Sequence, residues 1–182
     1  MYFDEPGKGN TDRTVRCAFD RARELGINEV IVASSSGDTA NKVMDIFEGF
    51  KVVVVTYHCG FKEPFKSVMP EDAKRNLEAR GAVIVGGTHA LSGIERSVAK
   101  KYSGFAPVLL MADTLKLFGQ GTKVAVEITV MAADAGSLSG RDVAAIGGSS
   151  RGADTALILT PVHQNNFFDM KIREIVCKPS NF

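Results

Sequence analysis

Four short stretches of the chain concentrate the residue types that hold small ligands. The first is Ser34, Ser35, Ser36, Gly37, Asp38 and Thr39. A hydroxyl-rich turn running into a helix offers an anion backbone N–H groups, side-chain donors and the positive end of the helix dipole. Gly37 permits a tight turn and a close approach to the backbone. Capping by Ser36 or Asp38 accounts for part of this pattern. Three consecutive serines exceed what one cap uses, so the expected ligand carries a phosphate. The second stretch is Ser149, Ser150, Arg151 and Gly152, in which the guanidinium can take a phosphate in bidentate fashion. Its alternative reading is a polar turn between strands. Asp154, just beyond, either touches the same ligand or starts the next strand.

The other two stretches carry the histidines. Tyr57, His58 and Cys59 follow one apolar run, and Gly87, Thr88 and His89 follow another. His58 and Cys59 are neighbours, so in extended chain they point to opposite faces and make a poor nucleophile–base pair. His58 is the better candidate for a ligand contact, with a surface histidine as the alternative. His89 either donates to a ligand or caps the helix that follows. His163 receives no role. No carboxylate pair, metal-ligand spacing or Ser-His-Asp pattern occurs, so no catalytic residue is assigned and no metal is expected.

These stretches gain meaning from the elements that position them. Val15, Ala18, Phe19, Ala22 and Leu25 recur at helical spacing between Asn10 and Gly26. Residues 30–33 are a short apolar run that reads as a buried parallel strand. A second helix starts at Thr39, and the four valines of 52–55 make a second strand. Pro70, Glu71 and Asp72 open a third helix, ended by Gly81, and 82–85 is the third strand. Residues 91–102 and 107–118 read as two more helices. Residues 122–135 are apolar nearly all round. Their length and alanines favour a buried helix over a long strand, and an oligomer interface is the lesser reading. Residues 143–146 are the fourth strand. The link from there to 157–159 is too short for a crossover helix, so a fifth strand should run antiparallel, and 172–177 is a possible sixth. The four chemistry-bearing stretches then all follow strands, at the edge where open α/β sheets bind ligands.

The 182 residues suit a single domain spanning 1–182. A net charge of +1 gives no electrostatic reason to expect nucleic acid or an anionic membrane as partner. Basic residues interleave with acids along the helices, as on a solvated face. Three dispersed cysteines, Cys17, Cys59 and Cys177, argue against disulfides and zinc. The first residues lack the pattern of a signal peptide, and the apolar runs have strand length. A cytoplasmic protein is expected, and a homo-oligomer, since small domains commonly associate.

The segment from Val30 through Thr56 resembles the C-terminal α/β domain of pyruvate kinase, and the chain as a whole is similar to the stand-alone, mostly archaeal group related to it. The resemblance implies a three-layer α/β/α fold with a mostly parallel five-stranded sheet of order 3-2-1-4-5, the last strand antiparallel. It implies an effector-phosphate loop at Ser34, Ser35, Ser36, Gly37 and Thr39. Asp38 stands where sugar-bisphosphate-regulated kinases carry a larger or basic residue. The catalytic barrel, typically about 250 residues, has no counterpart in this chain, so pyruvate kinase activity is not expected. The same loop also resembles the phosphate loop of flavodoxins, where hydroxyls wrap the phosphate of flavin mononucleotide and aromatic residues flank the ring. That likeness makes flavin mononucleotide the expected cofactor. The phosphate would lie on Ser34, Ser35, Ser36, Gly37, Asp38 and Thr39. Further contacts would come from Tyr57, His58, Gly87, Thr88, His89, Ser149, Ser150, Arg151, Gly152 and Asp154. A non-catalytic sensory module for a sugar phosphate or nucleotide is the second expectation.

Overall fold

The computed structural model describes residues 1–182. Its centre is built by strands that are apolar on both faces. β2 (Glu29–Ala33) and β3 (Lys51–Thr56) lie parallel, with Val30 opposite Val52 and Val32 opposite Val54. Side chains alternate across a strand. Val30, Val32 and Val54 therefore enter one core layer, while Ile31, Val53 and Val55 enter the other. Both layers need a cover of helices, which explains the unbroken apolar runs.

β4 (Val83–Gly86) extends the sheet beyond β3, and β5 (Val143–Gly147) pairs parallel with β2 on its other side. β6 (Thr155–Thr160) returns antiparallel to β5, and β7 (Lys171–Pro179) runs antiparallel to β6. A two-residue strand, β1 (Tyr2–Phe3), lies parallel along β7. The order is β1-β7-β6-β5-β2-β3-β4. The five expected strands are β2 to β6, in the expected order and with the expected antiparallel return. The sheet has seven strands rather than five. β7 is the sixth strand suggested by sequence, and β1 is too short to show any alternation.

Helices α1 (Thr11–Glu24), α2 (Asp38–Ile46) and α3 (Glu71–Ala79) supply Val15, Ala18, Ala40, Val43 and Leu77 to the first layer. After β4 come α4 (Gly93–Tyr102), α5 (Pro107–Lys116) and α6 (Gln120–Asp134). α6 buries twelve of its fifteen residues, with Ala125, Ile128 and Ala132 in the second layer. The apolar stretch read at 122–135 is thus a core helix, not an interface. No helix is long and apolar enough to cross a membrane.

Candidate functional site

The turn after β2 is shaped by its own serines. Gly37 sits at φ 96°, a left-handed conformation that strains any residue with a Cβ. The buried Ser34 hydroxyl accepts the N–H groups of Gly37 (3.2 Å) and Ala40 (3.4 Å), and the Ser36 hydroxyl accepts that of Asp38 (3.4 Å). Gly37 holds the N-cap position; of the two expected caps, Ser36 satisfies one of the first N–H groups of α2 and Asp38, the helix's first residue, none, while Ser34 satisfies another. Each hydroxyl keeps a proton to donate, and the N–H groups of Ser35 and Ser36 have no acceptor within the protein. Thr39 is only 6 % exposed, and its hydroxyl takes no part in the loop's hydrogen bonds.

The turn after β5 is held from behind. Asp154 is fully buried, and its Oδ2 accepts the N–H of Ser149 at 3.2 Å and of Gly7 at 2.8 Å. Its Oδ1 accepts the Thr155 hydroxyl at 2.8 Å. Thr11 Oγ1 accepts the N–H of Ala153 at 3.0 Å, tying this turn to the start of α1. Ser150 and Arg151 are left exposed at the tip.

The two turns face each other across one cavity of about 550 Å³. Ser34, Ser35, Ser36, Asp38 and Thr39 line one wall, and Ser149, Ser150, Arg151 and Gly152 another. Lys8, Lys42 and Lys62 also reach it. Lys42 pairs with Asp12, whereas Lys8, Lys62 and Arg151 have no carboxylate partner. The cavity's acids are Asp38 and Glu127, and Glu127 is already matched by Lys123 at 2.5 Å. The balance in the cavity is positive. Thr56, at the end of β3, lines it too, with a buried hydroxyl oxygen that has no hydrogen-bond partner.

The lining also has an aromatic part, Tyr57 and His89, with Phe61 stacked behind the cavity lining. Tyr57 and Phe61 stack at 4.0 Å and 8°, and His89 lies 5.5 Å from each ring at 26° and 28°. Val124, Ile128 and Met131 of α6 add apolar lining to the same cavity. Burial holds the His89 imidazole below its ordinary pKa. Lys123, His58 and Arg96 push the same way, and Glu127 opposes them.

A family model described as pyruvate kinase, alpha/beta domain, matches residues 12–159. The chain belongs to the pyruvate kinase alpha/beta domain family. The matched stretch of this alpha/beta domain runs from α1 into β6 and contains both turns and the cavity's aromatic residues, Tyr57 and His89. Lys8, Thr11 and all of β7 lie outside it.

Five residues named from the sequence do not line this cavity. Gly37 acts through its backbone conformation. Asp154 lies beneath the second turn as its hydrogen-bond anchor. His58 sits edge-on to Phe61 and His89, at 5.5 and 5.4 Å, with its Nδ1 2.7 Å from the Cys59 carbonyl oxygen. Gly87 and Thr88 line a second cavity, of about 440 Å³, which shares His89 and Met131 with the first. His163 is at the surface, 3.0 Å from Asp134.

Sequence reasoning missed Lys8, Thr11, Lys42, Lys62, Gln120 and Glu127. Lys42 had a signal, since it lies one helical turn after Asp38 on the same face. Glu127 had one as well. Lys123 and Glu127 stand four residues apart in an otherwise apolar helix, a spacing that lets two buried charges meet. Lys8 and Thr11 had none. Their approach depends on how the segment before α1 folds over the turn after β5.

Proposed function

We propose that this domain binds a phosphate-bearing small molecule, and flavin mononucleotide in particular, at the carboxyl ends of β2, β3 and β5. The observation that carries the reading is one cavity lined by residues of both hydroxyl- and glycine-bearing turns and by the Tyr57 and His89 rings, which stack 5.5 Å apart. A phosphate between the turns would meet the N–H groups of Ser35 and Ser36, the Thr39 hydroxyl and the Arg151 guanidinium. Lys8 and Lys62 supply charge that no protein carboxylate neutralises. The unpartnered Thr56 hydroxyl is a further group for a ligand to satisfy.

Asp38 does not suit a phosphate. It does suit the hydroxyls of a ribityl or sugar chain, to which a carboxylate is a good acceptor. A planar ring would lie against the Tyr57 and His89 rings and the apolar side chains of Val124, Ile128 and Met131. The cavity volume is within the range of ordinary small-molecule sites. Bound flavin would supply the capacity for one- or two-electron chemistry, and the protein's part is to bind, orient and exclude water.

The test is the absorbance spectrum of freshly purified protein, then mass spectrometry of what denaturation releases. Bands near about 375 and 450 nm with the mononucleotide mass are expected. Colourless protein that also fails to bind added flavin mononucleotide overturns the flavin assignment. A sugar phosphate or another nucleotide bound with loss on Arg151→Ala would then retain the phosphate site as a sensory module.

A further inference from the structure

α4 has ten residues and buries none of them. Ile94, Val98 and Tyr102 recur every fourth position and are 79 %, 48 % and 70 % exposed, so they form one apolar stripe in water. The turn after α4 adds Phe105, 79 % exposed, and α5 with its end adds Leu110, Leu117 and Phe118, at 53 %, 74 % and 50 %. An isolated helix shorter than about 12–15 residues is marginal in water and needs its apolar face packed. α5 is anchored, since Val108, Ala112 and Leu115 pack into the second core layer. α4 hangs from it, with Glu95 Oε2 accepting the Leu109 N–H at 3.0 Å. The α4–α5 hairpin is thus held on the body while its stripe faces away.

We propose that this hairpin is the interface of a homodimer, with α4 packed antiparallel against α4 of a second copy of this chain. The apolar side chains of the hairpin offer on the order of 900 Å². A stable interface of standard size takes about 800 Å² from each partner. The stripe is also its own complement. Its small residue, Val98, is central and its larger ones lie a turn to either side. A two-fold axis through Val98 sets Ile94 against Tyr102 of the partner subunit, as an isologous contact requires. Charges of both signs flank the stripe. On α4 these are Glu95, Arg96, Lys100 and Lys101, with Glu95 and Lys101 brought opposite each other across the two-fold axis, and on α5 Asp113 pairs with Lys116 at 2.8 Å, giving the mixed polar rim of a protein interface. Nothing in this inference depends on which ligand the cavity takes.

The experiment is sedimentation velocity of the full chain from the low to the hundred-micromolar range, with hydrogen exchange followed over the same range. A dimer mass is expected, with exchange in residues 93–118 slowing as dimer forms. Ile94→Glu and Val98→Glu, changes at positions exposed to water in the monomer, should weaken self-association on the order of a hundredfold while far-UV circular dichroism is unchanged. A monomer at every concentration overturns the proposal. So does concentration-dependent protection confined to another surface, or a monomer that co-sediments with phosphatidylcholine–phosphatidylserine vesicles through this hairpin. Should both variants fail to fold, the position of the protected segment in the wild-type chain still decides.

Discussion

α6 crosses β5 so closely that a Cβ on Gly147 would lie 2.3 Å from the carbonyl oxygen of Gly121. A Cβ on Gly121 would in turn meet the Thr155 hydroxyl at 2.1 Å. Neither glycine has a positive φ, so the requirement is space and not backbone freedom. The crossing places Val124, Glu127 and Ile128 over the strand ends, where they form a wall of the cavity. Gly147→Ala must push backbone from backbone. It should cost about 1–3 kcal/mol or more, as overpacking does. Gly9→Ala, at a glycine with nothing within 4 Å and no positive φ, should change stability by no more than about 0.5 kcal/mol. Urea unfolding of the two variants beside the parent chain measures both.

That crossing also marks the limit of what the sequence made legible. The central strands were readable because burial on both faces forces unbroken valine and isoleucine runs such as 52–55. The strand order came with the resemblance, and the antiparallel return of β6 followed from the short link after Gly147. Turns 34–39 and 149–152 were readable because their composition is unusual for plain connections. The roles inside them were not. Ser34 lines the cavity but also accepts N–H groups of its own turn and of α2, and Asp154 lies beneath the second turn with its oxygens engaged. Lys8 and Thr11 reach the cavity through contacts between the chain's first residues and the turn after β5, which no local pattern encodes.

Arg151 and Asp38 should act with opposite sign on a phosphate-bearing ligand. Arg151 is exposed and has no carboxylate partner, so Arg151→Ala removes a charge-assisted contact without touching the core. Affinity should fall about 10- to 100-fold, with stability moved by less than about 0.5 kcal/mol. Asp38→Asn removes a negative charge from the same cavity. It should tighten inorganic phosphate several-fold, at a loss of roughly 0.3–1 kcal/mol from the dipole of α2. Calorimetric titration with inorganic phosphate and with flavin mononucleotide separates these effects. Equal affinity for the parent chain and Arg151→Ala would remove the second turn from the site.

Lys123 and Glu127 form an ion pair buried at 8 % and 7 % side-chain exposure. Glu127 Oε1 also accepts the N–H of Leu91 at 3.0 Å, tying α6 to the segment that carries His89. Breaking such a pair leaves one charge buried without a partner, which costs about 3–5 kcal/mol. Glu127→Gln should therefore destabilise strongly. Lys123→Met with Glu127→Leu, which removes both charges and keeps the volume, should recover most of that loss. The double variant should still weaken ligand binding, because the Leu91 N–H loses its acceptor and His89 its support. Denaturant midpoints of the parent chain and the two variants, with their ligand affinities, distinguish a purely structural pair from one that positions His89.

Glu29 predicts how the fold responds to acid. Its side chain is 6 % exposed at the start of β2. Burial alone would raise its pKa. Hydrogen bonds from the Ser139 hydroxyl (2.7 Å) and N–H (3.2 Å), with the Lys51 ammonium at 3.4 Å, outweigh burial and lower it below the ordinary 4.5. A carboxyl that binds its proton less readily when folded gives stability that is complete above the unfolded value and is lost as pH falls through the folded one. The parent chain should thus lose stability steadily from near pH 4.5 downward. Glu29→Gln should be less stable at neutral pH, where a charge-assisted contact to Ser139 is gone, and should show a shallower decline over the acid range. Urea unfolding from pH 3 to 7 measures both slopes. A parent chain and a variant with parallel slopes would show that other carboxylates govern the acid response.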